Sequence, residues 1–159
     1  MGNNSAKPKR KMKTSFMYPA LHDKVVKAVS HNVPSTWFCE TNSDRDANNE
    51  WATHIKGRFR GRKNACCKDG WTSQKVAILI RGYMDNGYNA EVFNQRCRTC
   101  NQLGILILDK KSYVERVAYR IQVWAGIEME RPPYVSKPGK PHETEYCEGC
   151  KRGVCRRND

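Results

Sequence analysis

Acidic side chains are scarce beside basic ones in this sequence: Asp and Glu total 16 against 29 Lys and Arg, a formal net charge of +13 at pH 7. An excess of that size predicts attraction to polyanions such as nucleic acid or anionic membrane surfaces. Long apolar runs are missing as well. No stretch of about 18 apolar residues occurs, which excludes an ordinary membrane-spanning helix. The first thirteen residues are polar and basic, without the apolar core of a signal peptide. The expectation is a soluble protein of the nucleus or cytoplasm, not secreted, in a compartment that keeps thiols reduced. Recognisable catalytic sets are lacking too: no paired carboxylates, no Ser or Cys nucleophile beside a His, and no glycine loop that could cradle phosphates. These absences point to a non-enzymatic protein. The start Met1-Gly2-Asn3-Asn4-Ser5-Ala6 has Ala where a myristoylation site needs Ser or Thr, which argues against a lipid anchor.

Cysteine, by contrast, is plentiful. Eight occur in 159 residues, and in a reducing compartment their spacing favours metal sites over disulfides. The length suits one domain. Residues 1 to 15 hold Lys7, Lys9, Arg10, Lys11 and Lys13 with no acid, and little that repays the entropy of ordering. They are read as a basic disordered tail, and 16 to 159 as a single domain. The cluster Pro8 to Lys13 serves equally as a nuclear-import signal, a nucleic-acid arm or a solvating segment.

Pro19 suits a first helical turn, and Leu21, Val25, Val26 and Val29 then share a face until Asn32 and Pro34. Cys39 to Asn49 is rich in Asn, Asp and Ser and reads as an exposed loop. Strands follow from Thr53, with a buried one over Lys75 to Gly82, a turn at Asn86-Gly87, a half-buried strand over Tyr88 to Arg96, and its partner over Leu103 to Leu108. Ser112-x-x-Glu115 reads as a capping box for a helix whose stripe is Val114, Val117, Ala118, Ile121 and Trp124, ended by Gly126. Arg131 to Pro141 contains four prolines and reads as an extended connector. The predicted class is α+β: a small antiparallel sheet with zinc knuckles, one N-terminal helix and one longer helix packed on it.

Zinc takes four soft or borderline ligands in a tetrahedron, and a Cys-x-x-Cys turn offers two thiolates supported by backbone amides. His142-x4-Cys147-x2-Cys150-x4-Cys155 is a complete Cys3His set. A second pair, Cys97 and Cys100, sits at the tip of a predicted hairpin and needs two more ligands. Cys66 is the stronger candidate and its neighbour Cys67 the weaker, because adjacent residues in a strand face opposite ways. Cys39 reads as a spare buried thiol. Lys56, Arg58, Arg60 and Arg62 alternate with Gly57, Phe59 and Gly61, so in a strand all four cations project from one face. Lys63, Lys68, Lys151, Arg152, Arg156 and Arg157 add charge near the proposed metal sites. Tyr83, Tyr88 and Phe93 are candidates for base stacking, although core packing explains such aromatics as well. A zinc deaminase would need His-x-Glu before Pro-Cys-x-x-Cys; here Glu143 directly follows His142 and Tyr146 precedes Cys147.

Taken together, His54-Ile55-x-Gly57-Arg58-Phe59, Cys66 with Trp71-x-Ser73, Gln95-Arg96-Cys97-x-x-Cys100, Tyr113-x-Glu115-Arg116-Val117, Trp124-x-Gly126-Ile127 and Pro141-His142 leading to Cys147-Glu148-Gly149-Cys150, Gly153 and Cys155 resemble the 3CxxC-type zinc-finger family. That family includes fungal proteins and the zinc domain of the receptor-transporting proteins. The resemblance implies two zinc sites. It also departs: Gly61 stands where the family has a cysteine paired with Cys66, so the first site is one ligand short unless Cys67 or water completes it. Two functions are open. Charge placement favours a nucleic-acid binder, of RNA or of low sequence specificity, because no helix offers a major-groove reading pattern. The alternative is a protein-interaction or trafficking adaptor, which the resemblance to receptor-transporting proteins implies, although those carry a C-terminal membrane segment that this sequence does not show.

Overall fold

A computed structural model describes residues 13–41, 46–61, 69–130 and 142–155. In chain order its strands are β1 (Ser15–Phe16), β2 (Trp37–Phe38), β3 (Asn49–Arg60), β4 (Trp71–Tyr83), β5 (Gly87–Phe93) and β6 (Ile105–Leu108). Its helices are α1 (His22–Val29), α2 (Lys110–Trp124) and the short α3 (Glu148–Lys151). The sheet runs β1-β5-β4-β3-β6, antiparallel throughout, with β2 pairing in parallel with β5. Helices α1 and α2 cover one face, and the α+β class is as expected. The N-terminal segment reaches further into the fold than position 16: the Asn94 N–H bonds the Thr14 carbonyl at 2.8 Å, and Ser15 pairs with Phe93. Residues 1–12 lie outside the described part.

The helix-side core is built by period. Leu21, Val25 and Val29 recur every four residues, as one helical face requires. They meet Val117, Ala118 and Ile121 of α2 and the inward residues Ile55, Phe59, Val76, Ile78, Ile80 and Tyr88 of the sheet. Phe59 and Trp71, cross-strand partners, stack with ring centroids 5.1 Å apart. Gly126, at φ +81°, ends α2 as predicted.

Several expectations are corrected. The α2 N-cap is Asp109, whose side chain accepts the Ser112 N–H at 3.0 Å. Ser112 lies inside the helix, where its hydroxyl accepts the Lys56 N–H at 3.0 Å. That contact satisfies an amide at a bulge, where pairing shifts from Ile55–Val76 to Gly57–Ser73. The tight turn sits one residue early: Asp85 and Asn86 carry the positive φ of 56° and 65°, and Gly87 is already extended. The predicted pairing of Tyr88 to Arg96 with Leu103 to Leu108 holds only at its base, where Arg96 bridges Leu103; beyond it β6 pairs with β3. Finally, β5 is buried on both faces rather than one. Its outward polar residues are absorbed by partners: Glu91 pairs with Arg81 at 3.0 Å, and the Asn89 amide donates to the carbonyls of Cys39 and Thr41 and to the Tyr83 hydroxyl. Tyr83, Tyr88 and Phe93 are buried and offer no stacking surface.

Candidate metal centre

The face of the sheet away from α1 and α2 is divided between two uses. At one end Ala77 and Phe93 form a small second core with Cys147, against which Leu79, Cys150, Val154 and Cys155 pack. Here the C-terminal cysteine turn docks. The His142 Nε2 lies 3.2 Å from the Cys150 Sγ and 3.7 Å from the Cys155 Sγ, and the sulfurs of Cys147 and Cys155 are 3.6 Å apart. All four ligand atoms fall within 4.8 Å of one another. A zinc tetrahedron with Zn–S about 2.3 Å and Zn–N about 2.0 Å has edges of roughly 3.5 to 3.8 Å, so a zinc ion fits this donor set.

Local structure explains why these four converge. The Cys147 sulfur caps α3 by accepting the Cys150 N–H at 3.4 Å. Gly153, at φ +73°, reverses the chain after one helical turn, and the Val154 N–H returns to the Gly149 carbonyl at 2.8 Å, which brings Cys155 back to the cluster. Gly149 is pressed against the sheet: a Cβ there would stand 2.5 Å from that of Ala77 and 3.3 Å from the Cys155 sulfur. The hydrogen bond from Cys155 and the nearby His142 draw the Cys147 thiol down to about 4 despite burial, while burial raises Cys150 and the Cys147 sulfur raises Cys155. Three thiols that cannot all ionise alone are what a divalent cation resolves.

The turn is fastened by residues 94–96. The Glu148 N–H reaches the Asn94 carbonyl at 3.1 Å, the Arg96 N–H reaches that of Tyr146 at 2.8 Å, and the Arg96 Nε donates to Glu148 at 2.6 Å. His54 on β3 is buried beneath His142, ring centroids 5.1 Å apart, a packing role that spacing alone did not reveal. The next residues, Cys97 to Cys100, form a second sulfur-bearing turn. The Thr99 N–H points to the Cys97 sulfur at 3.4 Å, and Asn101, at φ 59°, closes it with its N–H on the Cys97 carbonyl. The other expected ligands of that site, Cys66 and Cys67, lie outside the described residues. Among those described, no disulfide occurs, and Cys39 is half-buried, not buried, with its sulfur 3.2 Å from the Thr41 hydroxyl.

Three cations near the metal cluster have acidic partners, two of which are shared, since Glu91 also pairs with Arg81 and Glu148 with Arg96. Arg152 pairs with Glu91 at 2.7 Å, Lys151 approaches Glu148 at 3.5 Å, and Arg98 pairs with Glu143. Further along the same face, starting two residues beyond His54, Lys56, Arg58 and Arg60 are exposed while Gly57 and Phe59 between them are buried. These three form no ion pair among the described residues. Arg62, Lys63, Lys68, Arg156 and Arg157 lie outside the described residues.

Fold and cluster together define a small zinc-binding protein of mixed α and β structure, and no helix of the described residues is long and apolar enough to cross a membrane. A family model described as a zinc-binding domain, the 3CxxC zinc ribbon, matches residues 54–153. The chain belongs to this 3CxxC zinc-binding family. No curated protein and no solved structure matches it to a degree that carries an argument.

Proposed function

We propose that this protein is a non-enzymatic nucleic-acid-binding module, in which a zinc ion held by His142, Cys147, Cys150 and Cys155 braces one part of a sheet face and the β3 cations that run on from it take up phosphates. The observation that carries this reading is the division of that face. Cations beside the metal cluster have acidic partners in Glu91, Glu143 and Glu148, whereas Lys56, Arg58 and Arg60 stand exposed in one row with no ion pair among the described residues. A Cys3His zinc site contributes a net charge of about −1, so the basic excess survives metal binding. Arg62 continues the row by sequence, and Cys97 and Cys100 serve as half of a second zinc site.

The test is affinity for RNA and DNA across a salt series, with zinc-loaded protein and a Lys56→Ala/Arg58→Ala/Arg60→Ala/Arg62→Ala variant. Each phosphate contact contributes about 0.7 to 0.9 to the log–log salt slope, so the variant should lose about 3. Zinc content and circular dichroism confirm that the variant is folded. Binding that is absent, or whose slope is unchanged, overturns the reading in favour of a protein-interaction adaptor.

A further inference from the structure

The open part of the face carries more than charge. β6 lies beside β3 with Arg58 opposite Ile107 and Arg60 opposite Ile105. Opposed residues in a sheet share a face, with Cβ atoms about 5 Å apart. Phe59 and Gly57 turn to the helix side with Leu106 and Leu108, so Ile105 and Ile107 turn outward with the arginines. They are 48 % and 43 % exposed. A single exposed isoleucine needs no explanation, but these two form a track parallel to the cations. Along each strand the repeat is about 6.6 Å, two residues of rise. The surface is therefore two-track: guanidinium groups on β3, aliphatic side chains on β6.

We infer that this strip receives unpaired nucleotides, with phosphates along Arg58 and Arg60 and base faces on Ile105 and Ile107, so the protein prefers single-stranded to duplex nucleic acid. The inference rests on the nucleic-acid reading above and deepens it. A single strand has the matching layout, since its backbone is charged on one side and its bases are free on the other. A duplex turns its bases inward and would set sugar and phosphate against the isoleucines, leaving that apolar surface without a partner. A second copy of this chain is disfavoured as occupant because its own +13 charge repels.

The experiment compares a twelve-nucleotide single strand with a hairpin duplex of related sequence, using zinc-loaded wild type and an Ile105→Thr/Ile107→Thr variant. Threonine keeps the β-branch and the strand while removing most of the apolar surface. Covering two half-exposed isoleucines should be worth about tenfold in affinity. The expected result is that the wild type favours the single strand, and that the variant loses about tenfold for it with duplex affinity and salt slope unchanged. Equal loss for both ligands, or no loss, overturns the single-strand inference while leaving the cation row standing. Loss of all salt-dependent binding in the wild type overturns both. Poly-glutamate is the competitor control: if it binds and is weakened by the threonine pair, the strip belongs to an acidic protein partner and the inference fails.

Discussion

Gly149→Ala isolates the docking of the metal turn on the sheet. The new methyl would sit 2.5 Å from the Ala77 Cβ, 3.3 Å from the Cys155 sulfur and 3.5 Å from that of Cys147. Carbon–carbon contacts are comfortable near 3.5 to 4.0 Å, so the turn must withdraw by about 1 Å or more. Ala77 is fully buried in the middle of β4 and has no rotamer with which to yield. Overpacking of this kind costs about 1–3 kcal/mol. If about half of that falls on the geometry of Cys147 and Cys155, zinc affinity should drop by roughly three- to tenfold, taking 1.4 kcal/mol per decade. Affinity is read by competition with a chromophoric chelator and stability by thermal melting. Adding Ala77→Gly removes the opposing methyl and should recover most of the zinc affinity, less about 1 kcal/mol of stability for a glycine inside a strand. Wild-type zinc affinity in Gly149→Ala, or failure of Ala77→Gly to restore it, would refute the proposed docking.

Glu91 is the electrostatic hub between β5, the N-terminal strand and the metal turn: it accepts from Ser15, Arg81 and Arg152. Glu91→Gln removes the carboxylate that Arg81, itself 1 % exposed, pairs with at 3.0 Å, and should destabilise by about 1.5–3 kcal/mol in urea unfolding, the range for a hydrogen bond to a charged group. The same group sets a pH dependence. Burial alone would raise the Glu91 carboxyl, but the hydrogen bonds from Ser15, Arg81 and Arg152 outweigh it and hold the group below the ordinary carboxylate value. Its stabilisation is therefore fully present above that ordinary value and is lost as pH falls through the lower folded value. Melts of wild type and Glu91→Gln should converge in that acid window. A gap between them that stays constant down through it would contradict the assignment.

The parts of this fold that were legible in the sequence are those set by near neighbours. The Cys3His cluster spans fourteen positions and its ligands are joined by one short helix and one glycine reversal, so spacing alone identified all four. Helices α1 and α2 likewise show their faces in a four-residue period. Misreadings arose where a distant partner decides. Nothing local to Asn89 or Glu91 announces Arg81, Arg152 and the Cys39 carbonyl, so β5 read as half solvated when both its faces are covered. Leu103 keeps the predicted bridge to Arg96, but residues 105–108 pair with β3, beside the bulge at Lys56 that is bonded to Ser112 and Asp109 of the α2 start, a contact no local pattern announces. Arg152 and Lys151 count in the sequence only as added charge, because their acids lie on β5 and inside the turn itself.

The most direct measurement is zinc-edge X-ray absorption on a Cys97→Ser/Cys100→Ser variant, in which the C-terminal site is the complete ligand set that remains. Three sulfurs at about 2.3 Å and one nitrogen at about 2.0–2.1 Å, with close to one zinc per chain, are the result predicted for His142, Cys147, Cys150 and Cys155. A four-sulfur shell, a shell dominated by oxygen, or loss of all bound zinc would contradict it.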